Sequence, residues 1–213
     1  DYTPTGKGTL KSNKQYVQTN DMETVRQYNM QGINVTEPLK STQVVKPSFI
    51  NNAIKYINRI NPNFSAVLDG ITVRLLDLDA AEKATIKFST NEIMFPNNKI
   101  YDNMKNIEEF VSEQLFTHES AHKFQKVLNI NNNAWAKIMQ KDKAQLFSKG
   151  VDVAEDFAES FKLFVKNSSK FADKYPERFE AMRKYIEAFN RNPENVVDEW
   201  AEKLANKRSA IVD

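Results

Sequence analysis

The chain has 213 residues, two of them histidine and none cysteine, with a formal net charge of +2. So balanced a charge announces neither a nucleic-acid footprint nor a polybasic membrane surface. Zero cysteine excludes disulfides and thiolate metal sites, so a bound metal must be held by imidazole and carboxylate.

At 40% hydrophobic with 14 Phe, the chain can bury a partly aromatic core. The length suits one compact enzyme domain with an N-terminal extension. No apolar run approaches transmembrane length and no signal peptide opens the chain, which begins at Asp1 as a processed or excised segment does.

Residues 1–46 are polar and carry three of the five glycines. They read as an N-terminal arm, partly extended, serving either as a partner-binding segment or as a strap over the domain. Within it, Asp21, Met22, Val25 and Tyr28 suggest one short helix over Asn20 to Met30, ended near Gly32, and Gly32 to Pro47 reads as connector. The main domain is expected over 47–213. Ile50, Ala53, Ile54, Ile57 and Ile60 recur at helical spacing until Asn61-Pro62-Asn63 breaks the pattern, and Phe64 to Leu68 reads as a short turn.

From Gly70 the texture changes. Ile71, Val73 and Leu75 alternate with their neighbours, Ala84 to Phe88 alternates again, and Glu92, Ile93, Met94 and Phe95 continue as a further strand before Pro96. This predicts a small mixed sheet of about three strands. Glu92 to Phe95 is the candidate edge strand along which a peptide substrate can align by main-chain hydrogen bonds.

A long helix follows from Asn106 to about Leu128, buried along Phe110, Val111, Leu115, Phe116, Ala121 and Phe124, and ended by the asparagines of 129–133. Further helices are predicted from Ala134 to Phe147, stopped by Gly150, and from Asp152 to about Val165, closed by Ser168-Ser169. Two more run from Pro176 to Phe189 and from Pro193 to about Lys207. The predicted fold class is therefore α+β and mostly helical, with a helical C-terminal half.

Both histidines fall in the long helix as His118-Glu119-Ser120-Ala121-His122. Positions i and i+4 share one helix face, so both imidazoles can grip one ion, while Glu119 is placed as a general base beside it. This H-E-x-x-H pattern is that of zinc-assisted hydrolysis. A catalytic zinc needs a third protein ligand and an open position. With no other histidine and no cysteine, that ligand must be Asp, Glu or Tyr, and Glu155 and Glu159, one turn apart on a later helix, suit it best. Glu155 is the candidate ligand, and Glu159 the candidate hydrogen-bond partner of a ligand histidine's far nitrogen. Asp152-Val153-Ala154-Glu155 also has capping-box spacing, in which Glu155 would reach back to the helix start, and Glu159 also reads as a solvated flank charge.

The two motifs, His118 to His122 and Glu155-Asp156-Phe157-Ala158-Glu159-Ser160-Phe161, resemble the glutamate-type zincins of the anthrax lethal factor catalytic domain and the clostridial Pro-Pro endopeptidases. The resemblance covers roughly Ile71 to Phe189, with no counterpart for the arm. It implies a zincin-like domain with one zinc ion on His118, His122 and Glu155. It also implies a protein or peptide substrate, and a secreted or delivered, toxin-like setting. One position departs: the family tyrosine seven residues before the ligand glutamate, which donates to the oxyanion, is here Ser148. Candidate replacements are Lys149, Tyr101 and Tyr175, and losing such a donor commonly costs about 2.7–4 kcal/mol. The alternative is a zincin-fold binding module, weakly active or inactive, of a larger toxin or particle, or a helical module without metal.

Overall fold

The computed structural model describes residues 14–18, 24–39, 44–79, 84–97, 101–142, 144–146 and 152–191. Their architecture is α+β, with a six-stranded mixed sheet and a set of helices. The described residues fall into two compact units, one drawn from Asp1–Tyr56 and Leu68–Glu119, the other from Ile57–Val67 and Ser120–Asp213.

The sheet belongs to the first unit. Its strands are β1 (Lys14–Gln18), β2 (Thr24–Met30), β3 (Ile33–Pro38), β4 (Thr72–Asp79), β5 (Thr85–Lys87) and β6 (Glu92–Asn97), in the order β1-β2-β3-β4-β6-β5. β3, β4 and β6 run parallel, whereas β1, β2 and β5 pair antiparallel with their neighbours. Three of the six strands come from the segment read as an arm, and the short helix expected up to Met30 is strand β2 instead.

Two residues explain that difference. Gln31 and Gly32 both take positive φ, 53° and 86°, and close a two-residue loop that pairs Met30 with Ile33. Positive φ at both loop positions is the turn whose twist matches a β-hairpin. Tyr28, Met30, Ile33 and Val35 are then all buried, two apart on each strand, while Asn29 and Asn34 between them are only partly so. Tyr28 donates to Glu37 Oε1 across the pair at 2.6 Å.

The candidate edge strand also needs correction. β6 lies between β4 and β5, with Thr85 opposite Met94, Ile86 opposite Ile93 and Lys87 opposite Glu92. Glu92, Ile93 and Met94 are thus paired on both sides, and among the described residues the edge on that side of the sheet is β5. The connection is tight enough for this pairing because Asn91 supplies a positive φ of 55°.

α1 (Phe49–Ile57) follows the sequence reading, and Phe49 brings its ring to Phe95 of β6 and to Phe116, with centroids 5.2 and 5.7 Å away. Phe64–Leu68 is a 3-10 turn. The long helix opens as one α turn, α2 (Ile107–Glu109), passes through a π-helical segment at Phe110–Leu115, and continues as α3 (Phe116–Val127). Buried pairs mark the change of period: Val111 and Ser112 are followed five residues later by Phe116 and Thr117, then four later by Ser120 and Ala121. Asn129, at φ 53°, ends α3 as a left-handed cap residue.

The second unit is helical: α4 (Asn132–Lys141), α5 (Val153–Lys174) and α6 (Pro176–Arg191). α4 stops at Asp142, earlier than expected. α5 runs beyond Ser168-Ser169 but leaves helical geometry at Asn167, whose side chain accepts from Lys170 N at 3.1 Å and caps the continuation. The core of this unit is a ring cluster in which Phe64 lies 5.1–5.4 Å from Phe124, Phe161 and Phe189. The helix predicted from Pro193 lies outside the described residues.

Candidate metal centre

α3 carries His118, Glu119 and His122 because its buried stripe (Phe116, Ser120, Ala121, Phe124) leaves the two histidines on a flank that is only partly covered. One helical turn separates them on that flank. Glu155 stands on the first turn of α5, whose N-terminus is capped by the Asp152 side chain accepting from Ala154 N at 2.8 Å. Acidic residues suit that turn, where the helix dipole is positive.

The fold brings the three candidates together. One nitrogen from each of His118 and His122 and one carboxylate oxygen of Glu155 all lie within 4.8 Å of one another. His122 Nε2 and Glu155 Oε1 are 3.1 Å apart. Metal–ligand bonds of about 2.0–2.1 Å at tetrahedral angles put ligand atoms about 3.3 Å from each other, so this pair already sits near the edge length of a four-coordinate site. Two imidazoles and a carboxylate are a donor set suited to a borderline divalent ion. The group can therefore hold a metal ion. Half of the capping-box reading is also met, since Asp152 caps the helix, while the Glu155 carboxylate lies at His122.

Access differs among these groups. The Glu155 side chain is 49% exposed and that of His122 12%. Glu119 is buried, at 7%.

The remaining candidates are distributed as follows. Glu159 takes a bidentate contact from Lys162 Nζ, at 3.0 Å to each oxygen. Tyr101 is buried, and burial pushes its phenol up to about 12, so its hydroxyl remains protonated through the neutral range. Tyr175 is buried against Phe171, with the Arg178 guanidinium 5.4 Å from its ring centroid, at the joint between α5 and α6. Ser148 and Lys149 lie outside the described residues.

Two features escaped the sequence reading. Lys123, next to His122, is buried, and burial pulls its ammonium down to about 8. The second is a cluster of buried charge behind Glu155. Arg178 of α6 donates from Nε and Nη2 to the two oxygens of Asp156 at 2.9 and 3.0 Å, and from Nη1 to Asp142 at 3.0 Å. Its signal in the sequence was phase: Arg178 precedes Met182 by four residues and shares a stripe with Ile186 and Phe189, all buried. A charge on an apolar stripe demands an acidic partner.

Comparison with protein-family models, curated proteins and solved structures finds no match. No helix among the described residues is long and apolar enough to cross a membrane.

Proposed function

We propose that the chain is a zinc-dependent endopeptidase of zincin type, acting on a protein or peptide substrate. The observation that carries the reading is the convergence of His118, His122 and Glu155, from two helices far apart in sequence, to within one ion's reach. The H-E-x-x-H order supports it, because that motif supplies two ligands and a base from one helical turn.

His118, His122 and Glu155 would hold the ion. Bound there, a zinc ion would supply carbonyl polarisation and a water made nucleophilic at neutral pH. Glu119 accepts the proton from the attacking water at its carboxylate and returns it to the leaving amine as the peptide bond breaks. The Tyr101 phenol, neutral at working pH, is one candidate donor to the developing oxyanion.

The test is Glu119→Gln. Zinc content, measured by metal analysis after titration of metal-free protein, stays at one per chain, while kcat/KM on a cleaved peptide falls about 10²–10⁴-fold. A wild-type chain that takes up no zinc ends the proposal.

A second reading rests on Ser148, which stands where the resembling family has its tyrosine. In that reading the domain keeps its zinc and serves as a binding module. One bound zinc with no cleavage across a broad peptide library would select it.

A further inference from the structure

Arg178, Asp142 and Asp156 are almost completely withdrawn from solvent, at 2%, 0% and 1% side-chain exposure. Burying such ions is costly, and apolar residues of equal volume often serve stability as well or better. What they add is direction. A guanidinium fork on a carboxylate tolerates little rotation or slippage.

The polar atoms of the cluster are densely used. Asp156 Oδ1 accepts from Arg178 Nε at 2.9 Å, from the Trp135 indole of α4 at 2.8 Å and from the Ser160 hydroxyl at 3.4 Å, while Oδ2 accepts from Arg178 Nη2 at 3.0 Å. Asp142, just past the end of α4, accepts from the backbone N–H of Glu177 and Arg178 at 2.8 and 3.1 Å and so caps α6 from 35 residues away. One guanidinium thus ties the end of α4, the start of α6 and the first turn of α5 together. Burial pulls the Arg178 charge down, but the two aspartates more than offset it and its pKa is raised overall.

Asp156 directly follows Glu155. The first turn of a helix has few hydrogen bonds of its own to hold it, and here the residue beside the candidate ligand is the one clamped. With Cα atoms only about 3.8 Å apart, fixing Asp156 fixes where the Glu155 backbone stands and which way its side chain leaves the helix. We infer that the Arg178–Asp156 clamp, with Trp135 and Asp142 behind it, is a positioning device that holds Glu155 at His122 for metal ligation. This rests on the metal-site reading above. Neither Asp156 nor Arg178 belongs to the candidate ligand set; they act through the helix turn that carries Glu155.

The experiment compares zinc affinity with thermal stability in the full chain, using zinc competition against a chromophoric chelator at a temperature where each variant is folded. Asp156→Asn and Arg178→Lys keep size or charge but break the fork, and each lowers zinc affinity about 10–100-fold. Trp135→Phe removes one bond to Asp156 and gives a smaller loss in the same direction. Phe189→Leu, in the ring core of the same unit, lowers the melting temperature without moving zinc affinity. If the clamp variants that fold bind zinc like wild type, or if Phe189→Leu loses as much affinity as they do, the clamp is only structural and the inference is overturned. A wild-type chain without zinc affinity is a separate outcome, and it overturns the metal site itself.

Discussion

Phe95 and Phe64 are both fully buried, but they stand in different kinds of core. Phe95, in the sheet-bearing unit, meets the rings of Phe49 and Phe116 at 5.2 and 6.5 Å on a strand already held on both sides by its ladders. Phe64, in the helical unit, meets Phe124, Phe161 and Phe189, where no ladder exists. Main-chain hydrogen bonds set strand positions in the first unit, and rings fill one face. In the second, helix positions depend on ring packing and on the Arg178 charge cluster. The helix that carries Glu155 has no strand ladder beside it and is set among its neighbours chiefly by side-chain packing and the Arg178 ion pairs, which makes it sensitive to single substitutions.

The largest expected effect follows from that difference. Phe64→Ala should cost near the top of the range for a buried aromatic, about 3–5 kcal/mol, and Phe95→Ala near the bottom. Chemical denaturation of both variants gives the comparison, and a larger loss at Phe95 would reverse it. Metal removal ranks next. At a hundredfold excess over the dissociation constant, zinc should stabilise the chain by about 2.7 kcal/mol. Chelation should raise hydrogen exchange at 153–160 while leaving the β2–β3 hairpin unchanged.

A smaller, local effect is expected at the hairpin. An added Cβ at Gly32 meets no atom within 4 Å, so Gly32→Ala suffers only the left-handed backbone, about 1–2 kcal/mol. Zinc affinity should not move, since no candidate ligand lies on that hairpin.

The smallest effect, nil at neutral pH, is alkaline. Tyr101 and Tyr28 have folded pKa values of about 12 against 10.0 for the ordinary phenol, Tyr101 through burial and Tyr28 through burial and then the Glu37 carboxylate. A raised folded pKa contributes stability that is whole below pH 10 and is lost as pH rises from 10 through 12. Melting temperature followed across that window should fall less steeply in Tyr101→Phe. An unchanged slope would show that Tyr101 is no part of the effect.

The legible parts of the molecule were those written in short range. His118 and His122 announce a shared helix face by spacing alone. α1, α6 and the strands at 72–76, 85–87 and 92–95 follow from local periodicity. The β2–β3 hairpin is also local, but Val25 and Tyr28 fit a helical spacing of three, which predicts a helix where the structure has strand β2. Gln31-Gly32, a two-residue turn between Met30 and Ile33, was the stronger signal. The π segment left its mark as a five-residue step between buried pairs.

By itself, then, the sequence determined a metal-suited donor set and the helix that carries two of its members, because one turn of helix is a local fact. Glu155 it offered only as a candidate, with helix capping as the rival role. Tertiary structure decided that Glu155 faces His122 at 3.1 Å and that β6 lies inside the sheet, covered by β5. It also joined Asp142, Asp156 and Arg178, which are spread over 36 residues, into one cluster. Desolvation makes three buried charges tolerable only when they meet, and where they meet is set by helix packing that no local pattern records.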